Sequence, residues 1–287
     1  MRDIINTAAT SIFYGRHSTY GLIAVKCLRQ KPAVLGPTVH TFAQYWENEK
    51  RLLQNVDHVS MRDLYHRLLS MLTFSKPSII KFVGADARFF SIYMEYLPYP
   101  DLTGMMSRPG YMFTGTTDDA TRVLRDMASA LEHLAVERKL LHNDIKPGNI
   151  LYDPARGAVL VDFGLGSSES EKICKGGTPW YVPREFMIEG KRGFESDIFA
   201  LGVTLLYLLN KTPLPELHCN GWIIARVARD DLERSRMERW LQEVAQMRSQ
   251  LADDVIELLV KQMIDEDLEH RISAASLVRR TQNLARN

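Results

Sequence analysis

The run Leu141-His142-Asn143-Asp144-Ile145-Lys146-Pro147-Gly148-Asn149-Ile150-Leu151, followed after a turn by Asp162-Phe163-Gly164, constrains the fold of this chain more than any other feature. Ile150-Leu151-Tyr152 and Ala158-Val159-Leu160-Val161 are short apolar runs split by Asp153-Pro154-Ala155-Arg156-Gly157, which predicts a β-hairpin. A hairpin there would return the chain on itself and bring Asn149 and Asp162 to the same end of one ribbon. Two carboxylates, an amide and a lysine are then gathered by one short stretch. Any one of them reads equally well as a turn former or a solvated surface group, so the inference rests on the ordered set.

That set suits phosphoryl transfer. An attacking hydroxyl needs a carboxylate to orient it and accept its proton, and Asp144 is the candidate. A cation beside the departing phosphate stabilises the charge that gathers in the transition state, and Lys146 could supply it. Magnesium takes hard oxygen ligands, usually one or two from the protein with the phosphates providing others, and Asn149 and Asp162 fit that description.

The chain resembles a eukaryotic-type serine/threonine protein kinase over about residues 10–280. His142-Asn143-Asp144 is similar to the catalytic-loop motif, with Asn143 where arginine is usual, and Asp162-Phe163-Gly164 matches the magnesium motif. Gly176-Gly177-Thr178-Pro179-Trp180-Tyr181-Val182-Pro183-Arg184-Glu185 resembles the end of the activation loop, with Pro-Arg-Glu in place of Ala-Pro-Glu. Ser196-Asp197-Ile198-Phe199-Ala200-Leu201-Gly202-Val203 resembles the start of a large buried helix. Asp197 would hold the catalytic-loop backbone, and Arg271 would pair with Glu185.

The resemblance implies an α+β, bilobal protein-kinase-like fold in a single domain over 1–287. A small β-rich N-lobe would span about 1–95, a hinge about 95–101 and a mainly helical C-lobe about 102–287. ATP with Mg2+, or Mn2+ in its place, would be the cofactors. Lys26, in Tyr20-Gly21-Leu22-Ile23-Ala24-Val25-Lys26-Cys27-Leu28, would contact the α- and β-phosphates, and Glu49 would pair with it. The competing possibility is that the pairing helix is a later one, Met61 to Thr73, which lacks the glutamate. Met94 would be the gatekeeper beside the adenine, the backbone of Glu95 and Leu97 would bond the base, Asp101 would accept from ribose hydroxyls, and Leu151 would complete the nucleotide site. Protein substrates are the implied partners, with a regulatory protein partner left unidentified.

Two departures bear on activity. The glycine-rich loop that covers the phosphates in this family has no counterpart, because Ile5-Asn6-Thr7-Ala8-Ala9-Thr10-Ser11 contains no glycine and loses freedom at positive φ. Weaker or altered clamping of the nucleotide is expected. The arginine that receives an activation-loop phosphate in many members is replaced by Asn143, so activity without that phosphorylation is expected. Thr178 reads as an architectural partner of Asp144 and Lys146 rather than a phosphosite. Two other classes remain: a pseudokinase or scaffold, favoured by the missing glycines and opposed by Lys26, Asp144, Asn149 and Asp162, and a small-molecule phosphotransferase of the aminoglycoside or choline type, opposed by Lys146 and the 178–185 segment.

Composition agrees with this reading. At 287 residues and 45% hydrophobic, the chain can bury sizeable cores, and one two-lobed domain would use nearly all of it. A formal charge of +1 with dispersed basic residues gives no reason to invoke nucleic acid. Cys27, Cys174 and Cys219 are too few and too scattered for a disulfide framework. The start lacks the regions of a signal peptide, and the longest apolar stretch, Ile198–Leu209, is too short to insert in a membrane, so a soluble intracellular protein of cytoplasm or nucleus is expected.

Periodicity predicts strands up to about Leu28, one or two helices through Thr73, and strands again from Ile79 to Leu97. Helices follow over Asp118–Val136, Asp197–Leu209 (ended by Pro213 and Pro215), Asp231–Ser249, Asp253–Met263 and Ser273–Asn287. Val123, Leu124, Met127, Leu131 and Leu134 form the expected core face of the first of these.

Overall fold

The computed structural model describes residues 2–6, 10–28, 39–57, 78–171, 176–190 and 192–284. The chain forms two compact units, one of residues 1–98 with 162–164, the other of 99–161 with 165–287.

The first unit is built on an antiparallel sheet of order β1-β2-β3-β5-β4, with β1 Arg2–Asn6, β2 Thr10–His17, β3 Gly21–Leu28, β4 Phe82–Asp86 and β5 Ser91–Glu95. Gly21 closes the turn before β3 at φ 74°, a region glycine enters without steric cost. Register places Lys26 opposite Ile12 and Ile92, and Ala24 opposite Tyr14 and Met94. Because side chains alternate along a strand, Ala24, Lys26 and Met94 share one face. Helix α1, Val39–Asp57, buries Trp46, Leu52, Leu53 and Val56, and the Trp46 indole donates to the Ser91 carbonyl at 3.0 Å, which ties the helix to β5. The stretch Met61 to Thr73 lies outside the described residues.

Two strand boundaries differ from the periodicity. Ile79 and Ile80 are buried, but Ile79 makes only a bridge and β4 begins at Phe82. Phe89 and Phe90 leave the predicted strand because Asp86 caps a 3-10 turn over Ala87–Phe89, accepting from the Arg88 amide at 2.9 Å, and Phe90 then takes φ 44°. A local side-chain cap outcompetes two strand-favouring aromatics.

The second unit starts its helical part with α2, Thr117–Glu132. Thr116 and Asp119 form a reciprocal capping box, and Val123, Leu124, Met127, Leu131 and Leu134 are buried, the last in a π-helical turn that continues the helix over His133–Arg138. The hairpin pairs β7, Ile150–Asp153, with β8, Gly157–Leu160, after the two-residue strand β6, Leu140–Leu141, which pairs with β9, Ser167–Ser168. Two helices follow: α3, Arg184–Glu189, and α4, Phe194–Leu208, the latter buried at every position from Ser196 to Leu208. Each large apolar side chain so buried contributes about 1.5–3 kcal/mol, so α4 is the spine of this unit.

The prolines do not end α4. Asn210 turns the chain at φ 56°, the Lys211 amide returns to the Leu206 carbonyl at 2.9 Å, and Pro215 instead opens α5, Pro215–His218. Helices α6, Asp231–Gln250, α7, Val255–Met263, and α8, Ala274–Leu284, complete the unit. No helix among the described residues is long and apolar enough to cross a membrane.

Candidate active site

In the first unit, strand β3 carries Lys26 inward to 5% exposure. Its Nζ donates to Glu49 Oε1 of α1 at 2.7 Å and to Asp162 Oδ1 at 2.6 Å. Burial alone would lower the Lys26 pKa, but attraction to Asp162 and Glu49, with hydrogen bonds to both, raises it above the usual lysine range. Burial lifts the Glu49 carboxyl, with Lys26 opposing that shift. Asp162 takes φ 65°, a left-handed conformation that aspartate tolerates, and its side chain stays 46% exposed. A lysine has three N–H donors, so one is left on Lys26 among the described residues.

Along β5 and just beyond it, Met94 is buried opposite Ala24. The Glu95 amide donates to the Lys81 carbonyl at 3.0 Å, while Leu97 makes no hydrogen bond among the described residues. Tyr96 stacks on Tyr14 with centroids 4.9 Å apart.

In the second unit, buried Asp197 on α4 accepts from the His142 amide at 2.7 Å and the Asn143 amide at 2.9 Å. Burial raises the Asp197 pKa, opposed by His142, these backbone bonds and Arg192. The Asp144 amide donates to His142 Nδ1 at 3.3 Å, which leaves the ring proton on Nε2 to donate to the Val161 carbonyl at 3.1 Å. Asn143 adopts φ 65°, and its amide nitrogen donates to Leu165 O at 3.1 Å and Ser167 Oγ at 2.9 Å.

The loop so held presents Asp144. Its Oδ1 accepts from the Thr178 hydroxyl at 2.7 Å, and its Oδ2 accepts from Asn149 Nδ2 at 2.9 Å and meets Lys146 Nζ at 2.8 Å. Lys146 Nζ also donates to Thr178 Oγ1 at 2.7 Å. An ionised carboxylate has about four acceptor sites, so among the described residues one acceptor site is left on Asp144 and one donor on Lys146. Asn149 uses its side-chain nitrogen on Asp144, and its side-chain oxygen accepts no hydrogen bond among the described residues.

A family model for the protein kinase domain matches residues 11–281. The chain belongs to the protein kinase domain family. Among its relatives, an L-type lectin-domain containing receptor kinase V.5 of Arabidopsis thaliana is 27% identical over 195 residues, covering 63% of this chain and 28% of that protein. Mitogen-activated protein kinase kinase kinase 17 of Arabidopsis thaliana is 28% identical over 216 residues, covering 61% and 54%, and mitogen-activated protein kinase kinase kinase 1b of Physcomitrium patens is 25% identical over 191 residues, covering 62% and 24%. This chain therefore spans between 24% and 54% of those relatives' own length.

Within the kinase domain, Glu185 and Arg271 pair at 2.6 Å. Asp101 uses Oδ1 to cap a 3-10 turn, accepting from the Thr103 amide at 2.9 Å and the Gly104 amide at 3.2 Å, and it bridges to Leu151 of β7. Any ribose contact by Asp101 thus falls to Oδ2. Arg184, the unusual residue in Pro183-Arg184-Glu185, reaches Glu266 at 2.9 Å in a pair exposed on both sides. Cys174, Thr7, Ala8 and Ala9 lie outside the described residues. Sequence reasoning missed Glu216, which accepts from the Tyr181 hydroxyl at 2.9 Å, and Arg192, which donates to the Asn143 carbonyl at 2.7 Å. Neither belongs to a spaced motif, and no pattern in the sequence marks them.

Proposed function

We propose that this chain transfers the γ-phosphate of ATP to serine or threonine hydroxyls of protein substrates. The arrangement at Asp144 supports this most directly: a carboxylate fixed by Thr178 and Asn149, with one acceptor site left and a lysine alongside. Asp144 would orient the substrate hydroxyl and take its proton, while Lys146 would offer its remaining N–H to the transferred phosphoryl oxygens. Lys26, kept protonated by its two carboxylate partners, would bind the α- and β-phosphates, with Glu49 fixing its direction.

Hard oxygens at Asn149 and the exposed Asp162 carboxylate are the donors that would hold magnesium, or manganese in its place. A divalent ion there supplies charge neutralisation for the phosphates. Met94, the backbone of Glu95 and Leu97, Leu151 and Asp101 would receive the nucleoside, the unbonded Leu97 amide supporting that assignment. The neutral Asn143 amide donates to the Leu165 carbonyl and the Ser167 hydroxyl, bonds that call for no anionic partner, which supports activity independent of activation-loop phosphorylation.

A binding role without transfer remains the second reading, because the three residues joining β1 to β2 include no glycine. The test is phosphate transfer from ATP with magnesium or manganese to mixed protein substrates, followed by phosphoamino-acid analysis, for the wild type and Asp144→Ala. Phosphoserine or phosphothreonine that disappears in the variant supports the kinase reading. Nucleotide binding with no transfer by the wild type supports the scaffold, and phosphotyrosine would overturn the serine/threonine assignment.

A further inference from the structure

Arg192 stands in the connection between α3 and α4, outside every motif that marks this family. Its Nη1 donates to the carbonyl of Asn143 at 2.7 Å. A Cβ placed on Gly177 would lie 2.7 Å from both Nη1 and Nη2 and 3.1 Å from Cζ, so the guanidinium fills the space that a side chain at 177 would need. Its Cζ is also 5.2 Å from the Phe186 ring, which supports one orientation of the planar group. Asn143 immediately precedes Asp144, and Gly177 immediately precedes Thr178. One side chain therefore bonds the residue before Asp144 and packs over the residue before Thr178, the two partners of one hydrogen bond.

We propose that Arg192 is a positioning residue for transfer: hydrogen-bonded to the Asn143 carbonyl and packed over Gly177, it sets the distance at which Thr178 holds Asp144. This rests on the kinase reading above. Gly177 is the necessary counterpart, because its φ of 136° disfavours a side chain and the guanidinium occupies the space one would need. An alternative use of Arg192, as a receptor for a phosphate group, meets a size limit. Arg192 Nε and Nη2 and Asn143 Oδ1 are buried with no partner among the described residues, but the cavity that these two residues help to line is ≈ 10 Å³. That volume is at the lower bound for a single water and far below a phosphate.

The experiment is a double-mutant cycle on turnover with Arg192→Ala, Gly177→Ala and the pair, alongside Arg192→Lys. Arg192→Ala should lower kcat by about tenfold to a hundredfold with KM for ATP little changed, as expected when reacting groups are misplaced rather than lost. Arg192→Lys keeps a cation and one donor near Asn143 and should recover part of kcat. Gly177→Ala should be severe in the wild-type background and distinctly milder once Arg192 is alanine, because the steric conflict is then gone while the backbone conformation is common to both arms. Additive losses, or an unchanged kcat in Arg192→Ala, would overturn the proposal.

Amide exchange separates this from failure of the kinase reading. In Arg192→Ala, the 142–146 and 176–178 segments should exchange about tenfold faster, whether or not the wild type transfers phosphate. Unchanged exchange in both segments would overturn this positioning role even if transfer is confirmed.

Discussion

Lys26 is 5% exposed and meets two carboxylates from segments 23 and 136 residues away, whereas Asp144 meets an amide 5 residues on and a hydroxyl 34 residues on. In the first cluster, buried charge is satisfied by opposite charge. In the second, a carboxylate is fenced mainly by neutral donors on a loop whose backbone is clamped by Asp197. The difference teaches where each cluster is vulnerable. Removing the lysine of the first leaves the buried Glu49 carboxylate uncompensated, so stability should suffer. Removing a member of the second leaves a clamped loop with the wrong chemistry, so turnover should suffer.

The largest expected effect breaks the second cluster. Asp144→Ala should reduce kcat by about a thousandfold, while the thermal midpoint stays close to wild type by calorimetry. Next comes Lys26→Met, which strands Glu49, a side chain only 2% exposed. It should lower the unfolding free energy by about 3 kcal/mol or more, measured by urea titration, and adding Glu49→Gln should restore part of the loss. Full stability in Lys26→Met would show that the first cluster is not held by charge.

Thr178→Val sharpens the contrast, since it removes two hydrogen bonds at the Asp144 cluster without stranding a deeply buried charge. A loss of about tenfold in kcat is expected, with stability nearly unchanged. Asp119 tests a smaller, pH-dependent contribution. Burial would raise its pKa, but the Tyr152 hydroxyl and the Thr116 bonds outweigh this and lower it. A depressed folded-state pKa stabilises the fold above the unfolded value of about 3.9, and that contribution is lost as pH falls through the folded one. Asp119→Asn should therefore flatten the acid limb of a stability–pH curve. Arg184→Pro should be smallest: it removes an exposed ion pair worth about 0–1 kcal/mol, and proline is tolerated in the first helical turn.

The same contrast explains what could be read from the chain alone. Asp144, Lys146 and Asn149 fall within one short run, and their grouping needs only a local loop, so the sequence displays them together. The partner of Lys26 depends on which of two helical stretches packs against the sheet, and periodicity fits both. The sheet register and the inward turn of Glu49 decide it, and neither is written locally. Phe89 and Phe90 misled because the Asp86 cap is worth more there than aromatic strand preference. Arg192 could not be found at all, because a lone arginine before a glycine carries no spacing signal. Its meaning comes from the backbone it touches.

The most direct test of the division between the two clusters is calorimetric titration of Mg-ATP into Lys26→Met and Asp144→Ala, each compared with the wild type. The account predicts that Lys26→Met loses most of its affinity, while Asp144→Ala binds nearly as tightly as wild type although its kcat is about a thousandfold lower. Affinity retained in Lys26→Met and lost in Asp144→Ala would contradict the roles assigned to both.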